Sequence, residues 1–340
     1  MTGERRSPRP RRASLQDIAS RVGTTKMTVS RCLRRPDTVA EPLRSRIFEV
    51  AEELSYLPNH APTLLAQARS RSIGMLVPSV TNQVFSEVFA GAIDTANAAD
   101  YRLMISHYGY DPQEEARGIA SLLSYNADAI IMSDREHTDA TLRMLQSADV
   151  PTVEIMDTRT PPLQQAVGYD NHAAAHEMID VMIAEGRREI VYMAVRLDAR
   201  TQQRERGYLE AMEAHGLHGR SLQSAEKSSF SVGAKLMSEV LDERPKTEAI
   251  FCTNDDVAVG AYFECLRRDL SVPGDLAIVG FHGLDVIQAL APHLGSVLTP
   301  RYRIGAVAIE QLLARIAGPQ SYESVIDLGY EIMWPQSLGT

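Results

Sequence analysis

Lys26, Met27, Thr28, Ser30, Arg31 and Arg34 fall within one short amphipathic stretch, and together they carry the chemistry of a nucleic-acid reader. Long cationic donors suit guanine edges, a flexible thioether suits thymine methyls, and short hydroxyls suit phosphate oxygens. The competing reading is an ordinary basic surface helix. A second group follows short apolar runs: Thr81, Asn82, Gln83 and Phe85; Ser133, Asp134 and Arg135; Glu154 and Asp157; Arg200 and Arg204; Thr253, Asn254 and Asp255; and His282. Rich in amide groups and fork-shaped donors, this set suits a small polyhydroxylated molecule better than a flat heterocycle. Each member also has a plain alternative: Arg204 as a surface arginine, His282 as a strand cap, Asp255 and Asp256 as turn or helix caps, Phe85 as core.

The first group needs a helix held at a fixed angle. Ser14 to Asp17 reads as a capped helix start, with Leu15, Ile18 and Ala19 facing inward. Gly23 supplies a sharp turn, and Thr25 caps a second helix from Lys26 to about Leu33 with Val29 and Leu33 inside. Two short helices joined at a glycine form a helix-turn-helix. A third, opened by Pro42, repeats Leu43, Ile47, Val50, Ala51 and Leu54 at helical spacing and closes the core.

The second group needs strands. Apolar runs at residues 74–77, 103–105, 129–132, 190–193, 249–251 and 277–279 alternate with helical stretches, which predicts a doubly wound parallel sheet with ligands beyond the carboxyl ends of its strands. Further strands near residues 152–155 and 296–298 lead toward crossovers if the body is two subdomains; alternation alone leaves a single large sheet open. His172 and His176 have the spacing of a zinc pair, but without HExxH or a third ligand they read as a solvated face.

Charge is divided along the chain. The net charge is −9, yet residues 1–71 carry 14 Lys and Arg against 7 Asp and Glu, while the remainder carries 21 against 37. Attraction to phosphate is thus confined to the N-terminus. Residues 1–12 read as a disordered basic arm without the apolar stretch of a secretory signal, and no run has transmembrane length. Three cysteines without metal-ligand spacing fit reduced thiols, so a cytoplasmic protein with no membrane partner is expected. There is no P-loop, GxGxxG fingerprint, GxSxG elbow or zinc signature, so an enzyme has no constellation to rest on and no cofactor is expected. An exported sugar-binding protein would share the second group, but a basic module stands where its signal peptide should be.

Val22-Gly-Thr-Thr-Lys-Met-Thr-Val-Ser-Arg31, followed by Tyr56-Leu-Pro-Asn59, is similar to the headpiece of the LacI/GalR family of repressors. The resemblance implies base contacts from Lys26, Met27 and Arg31 and a phosphate contact from Thr28. It also implies a hinge helix that orders on double-stranded operator DNA, capped by Asn59, with Leu65 wedged into the minor groove. Pro62, which many members lack, falls in the first turn of that hinge. For the body it implies two doubly wound subdomains of the periplasmic-binding-protein type. The expected organisation is an all-α helix-turn-helix domain at 13–58, a hinge at 59–71 and an α/β effector and dimerisation domain at 72–340. Its N-subdomain covers about 72–169 and 300–328, its C-subdomain about 170–299 and 329–340.

Arg204 stands three residues before Gly207-Tyr208, where the family places its effector arginine, and Asn254 lies in the other polar loop. Most members have an aspartate where this chain has His282; a histidine can donate and, with Arg204, hold an anion. Within the family, Lys26-Met-Thr-Val-Ser-Arg31, Thr81-Asn-Gln-Val-Phe85, His107-Tyr-Gly-Tyr110, Val167-Gly-Tyr-Asp-Asn171, Phe251-Cys-Thr-Asn-Asp-Asp256, Gly280-Phe-His-Gly283 and Ser296-Val-Leu-Thr-Pro-Arg301 resemble the gluconate-utilisation branch. The expectation is a homodimer or higher oligomer released from its operator by a small sugar acid, bound by Asn82, Gln83, Phe85, Arg135, Glu154, Arg200, Arg204, Asn254 and His282. A ligand acting as corepressor, or another sugar or sugar phosphate on the same fold, stays open at this point.

Overall fold

Ser14 begins the first helix by a reciprocal exchange: its N–H donates to the Asp17 carboxylate at 2.7 Å, and its hydroxyl accepts from the Asp17 N–H. Helix α1 (Leu15–Val22) stops at Gly23, whose φ of 74° is the left-handed conformation that glycine adopts without strain. The Thr25 hydroxyl then accepts from the Thr28 N–H at 3.1 Å and starts α2 (Lys26–Arg34). A short 3-10 turn (Pro36–Thr38) leads to α3 (Glu41–Glu53), with Pro42 in its first turn. Ile18, Ala19, Val29, Ile47 and Val50 are buried between the three helices, with Leu15, Leu33, Leu43, Ala51 and Leu54 packed against them. Cys32 and Val39 complete this core. Cys32 is three residues from Val29 on the same face of α2, and Val39 tucks in after the 3-10 turn.

The computed structural model describes residues 13–57, 69–290, 294–318 and 321–335. The arm at 1–12, most of the hinge, and with it Asn59, Pro62 and Leu65, lie outside the described residues. Contacts divide the chain into two units between Ala68 and Arg69.

In the second unit each apolar run becomes a strand, several buried on both faces, and such strands are stable only with helices packed on either side. The strands are β1 (Ser72–Val77), β2 (Arg102–His107), β3 (Ala129–Met132), β4 (Thr152–Ile155), β5 (Gln165–Gly168), β6 (Ile190–Val195), β7 (Arg220–Ser224), β8 (Ala249–Cys252), β9 (Ala277–His282), β10 (Gly295–Leu298), β11 (Val325–Asp327) and β12 (Glu331–Met333). The helices are α4 (Val84–Ala98), α5 (Pro112–Ser124), α6 (Asp139–Ala148), α7 (Asn171–Ala184), α8 (Ala199–Ala214), α9 (Phe230–Glu243), α10 (Asp255–Arg267), α11 (Asp285–Ala289) and α12 (Arg301–Ala317).

They build two six-stranded sheets, ordered β11-β5-β4-β3-β1-β2 and β12-β10-β9-β8-β6-β7, parallel throughout except for β12 against β10. This excludes the single large sheet. The chain crosses between sheets three times: after β5, after β10 and after β11. The first crossing therefore follows Gly168 rather than the strand near 152–155. Gln165 hid β5 from a hydropathy reading, because its buried amide donates to Gln311 and to the Glu323 carbonyl instead of facing water.

Helices α4 and α12 cross with their backbones in contact. A Cβ on Gly91 would stand 2.0 Å from the Tyr302 carbonyl oxygen, and one on Gly305 2.0 Å from that of Val88. Among the described residues no helix is long and apolar enough to cross a membrane.

Candidate functional site

On α2 the side chains left outside the core are those the sequence singled out. Lys26, Met27 and Arg31 are exposed, Met27 to 81%, whereas Thr28 and Ser30 are half-buried. Three other arginines of this unit are paired: Arg21 with Glu53, Arg44 with Asp37 and Glu41, Arg46 with Glu49. Lys26 and Arg31 have no ion-pair partner among the described residues. Two unpaired cations flanking an exposed thioether are suited to phosphate and base edges, since contact of Lys26 and Arg31 with DNA breaks no ion pair among the described residues.

The second unit holds a polar pocket between its two sheets, at the carboxyl ends of the strands. Asn82, Val84, Phe85, Tyr110 and Met156 line it from the first subdomain, and Arg196, Asp198, Arg200, Thr201, Arg204, Asn254 and His282 from the second. It encloses ≈ 360 Å³ of atom-free space counting its mouth. Arginine side chains reach across it. The Arg196 guanidinium lies over the Tyr110 ring at 4.5 Å and donates to its hydroxyl, and Arg200 donates to the Ser133 carbonyl at 2.7 Å. Gln203 adds bonds to Asp157 at 3.2 Å and to the Thr160 hydroxyl at 3.1 Å.

Arg204, 3% exposed, is the most constrained of these cations. It donates to the Thr253 carbonyl at 2.6 Å and to the Asn171 side-chain oxygen at 3.0 and 2.9 Å, and it stacks 3.7 Å from the Phe281 ring centre. Asp198 is the carboxylate of the lining. Burial alone would raise its pKa, but Arg200 and the bonds from Thr201 outweigh this and hold it below the ordinary range, so it stays ionised.

His282 behaves differently from its expected role. Burial, reinforced by Arg204, Arg301, Arg200 and Arg196, pushes its pKa well below the ordinary histidine value, so the ring is neutral. Its Nε2 lies 3.3 Å from Nη2 of Arg204, which can only donate, so Nε2 accepts and the ring proton sits on Nδ1, 3.4 Å from the Thr299 hydroxyl. In this state the histidine orients Arg204 and offers no Nε2 proton to an anion.

Six expected effector residues, Asn82, Phe85, Arg200, Arg204, Asn254 and His282, come together at this pocket. Three do not. Gln83 is exposed at the start of α4, outside the lining. Arg135 is buried and pairs with Glu154 at 3.0 Å and Asp157 at 3.5 Å. Glu154 also takes a bond from His137, whose other nitrogen meets Glu115 at 2.9 Å. Burial opposes the charge on His137, but these two carboxylates prevail and push its pKa up to about 9. Arg135 and Glu154 are thus committed to a buried ionic network. Asp255 and Asp256 also stay out of the lining: Asp255 holds Leu284 N–H and the Ser296 hydroxyl, and Asp256 the Ser228 hydroxyl.

His172 and His176 correct another expectation. His172 is buried and bonds Glu210 at 2.8 Å, and His176 pairs with Asp180 at 3.0 Å, so they are not both a solvated face. Among the described residues no group of three or more His, Cys, Asp or Glu is placed to hold a metal ion.

Arg196, Tyr110 and Asp198 were missed by the sequence reading. Arg196 directly follows β6, so the rule that selected Arg200 and Arg204 should have selected it too.

Residues 14–59 match the family described as bacterial regulatory proteins, lacI family, and residues 179–338 match the periplasmic binding protein-like domain. The chain is 48% identical to the HTH-type transcriptional regulator GntR of Escherichia coli K12 over 95% of its length and 97% of the relative's. It is 41% identical to the HTH-type transcriptional regulator IdnR of the same strain, over 95% and 98%. Among solved structures, a LacI-family transcriptional regulator from Silicibacter pomeroyi superposes with a TM-score of 0.86 at 28% identity, covering 95% of this chain and 98% of that one.

Proposed function

Because this chain belongs to the lacI family of bacterial regulatory proteins and is a DNA-binding transcriptional regulator, we propose that it is a homodimeric repressor of sugar-acid catabolism genes, released from its operator by a small sugar acid of the gluconate class. The observation that carries the ligand class is the charge of the pocket: Arg196, Arg200 and Arg204 face Asp198 as the carboxylate of the lining. That excess positive charge favours an anion, and fork-shaped guanidinium groups suit a carboxylate. Asn82, Asn254 and Asp198 supply acceptors and amide donors for hydroxyls.

In this reading Lys26, Met27 and Arg31 meet base edges while Thr28 and Ser30 meet phosphate. Two copies set their α2 helices in successive major grooves, with half-sites about one helical turn apart. Asn59 caps a hinge helix whose Leu65 wedges the minor groove. An incoming carboxylate competes for the arginine donors now spent across the cleft and resets the two subdomains, so ligand and operator weaken each other by the same factor.

The test is a thermal-shift series on the full chain with gluconate, 6-phosphogluconate and keto-gluconates, and neutral glucose as control. Sugar acids are expected to raise Tm with concentration and glucose to leave it unchanged. An equal response to glucose sinks the anion argument.

A further inference from the structure

Arg301 is a buried cation beside the pocket that does not line it, 2% exposed, at the first position of α12. Its Nη1 donates to the His282 carbonyl, and its Nη2 donates to the Gly283 carbonyl at 3.4 Å and to the Glu87 carboxylate at 2.7 Å. The turn it grips is strained: His282 has φ 106°, a conformation that L residues rarely adopt and that persists only where the surroundings impose it. From the opposite side the Asp255 carboxylate accepts from Leu284 N–H at 2.6 Å and from the Ser296 hydroxyl at 2.7 Å, and Ser296 Oγ accepts from Gly283 N–H at 3.0 Å. The turn is therefore held by its own subdomain on one side and by Arg301 on the other. Glu87 belongs to α4, whose first turn gives Val84 and Phe85 to the pocket and whose Gly91 meets the backbone of α12.

We propose that Arg301 and Glu87 form a clamp that positions His282 and ties its turn to helix α4, so that an effector displacing His282 moves α4 with it. The second clause rests on the effector reading above; the first stands without it. Arg301 is a positioning residue, acting on the pocket through His282 and through Glu87.

The experiment uses the full chain with 15N-labelled histidine and the variant Glu87→Gln, which alters a half-exposed side chain outside the pocket. Without ligand, Glu87→Gln is expected to shift the His282 ring resonances and leave those of His137, held in its separate network by Glu115 and Glu154, in place. Arg301→Lys, which keeps the charge but loses the fork, should shift His282 in the same direction. Unmoved His282 resonances overturn the clamp. On an operator fragment selected in vitro with the wild-type chain, Glu87→Gln should keep the calorimetric affinity for gluconate and reduce the effect of gluconate on operator affinity by about fivefold or more. An unchanged effect overturns the transmission to α4. If gluconate fails to bind the wild-type chain, the ligand assignment and the transmission to α4 both fall, and the histidine spectra still decide whether the clamp positions His282.

Discussion

In the N-terminal unit Lys26 and Arg31 stand in solvent with no ion-pair partner among the described residues, whereas in the second unit Arg196, Arg200 and Arg204 are packed inside a pocket and already spend donors on protein acceptors. The same side-chain chemistry is used in two regimes. Exposed cations attract over about a Debye length and are screened by salt, so they suit a polyanion met at many points. Buried ones cost desolvation, which only well-placed hydrogen bonds offset, and in return they are rigid enough to discriminate one small anion by geometry.

That contrast can be broken by substitution. The largest effect is expected from Arg204→Ala, which leaves the Thr253 carbonyl and the Asn171 oxygen buried without their donor. It should destabilise the second unit by about 1–3 kcal/mol for each acceptor left unpaired, read by urea denaturation, and abolish sugar-acid binding. A variant of wild-type stability would mean that this arginine is not preorganised by its partners. Arg31→Ala should do the reverse: no loss of stability or of ligand binding, but a loss of about 1–3 kcal/mol in specific operator affinity, measured by fluorescence anisotropy against a scrambled duplex. Equal weakening on both duplexes would reduce Arg31 to a phosphate contact.

The remaining effect is a change of slope with pH. Burial pushes the Asp255 carboxyl up to about 7, against the opposing pull of Leu284 N–H and the Ser296 hydroxyl. The folded chain then holds a proton that the unfolded chain releases near pH 4. This contribution to stability is complete below about pH 4 and is lost as the pH rises through 7. Asp255→Asn should therefore flatten the decline of Tm between about pH 4 and 7, and an unaltered pH profile would show that Asp255 is ionised throughout.

The helix-turn-helix was legible because its signals are local: a cap at Ser14, a glycine turn, a cap at Thr25, and apolar spacing within single helices. The sheets were legible where strands are buried on both faces, as in β3 and β8, and illegible where a buried glutamine interrupts the apolar run, as in β5. For the pocket, position after a strand found Arg200, Arg204 and His282, but it could not tell donors that face the cleft from those that pair among themselves. Arg135 follows β3 and Glu154 lies near the end of β4, and the two point into each other. Pairing depends on which strands become neighbours, and β3 beside β4 is a fact of topology that no local window contains.

Met27 has a consequence of another kind. A thioether exposed to 81% is open to oxidation, and its sulfoxide is polar and chiral where a flexible apolar group stood. Protein held free of DNA under oxidants should lose operator recognition before it loses any fold, and reductase treatment should restore it.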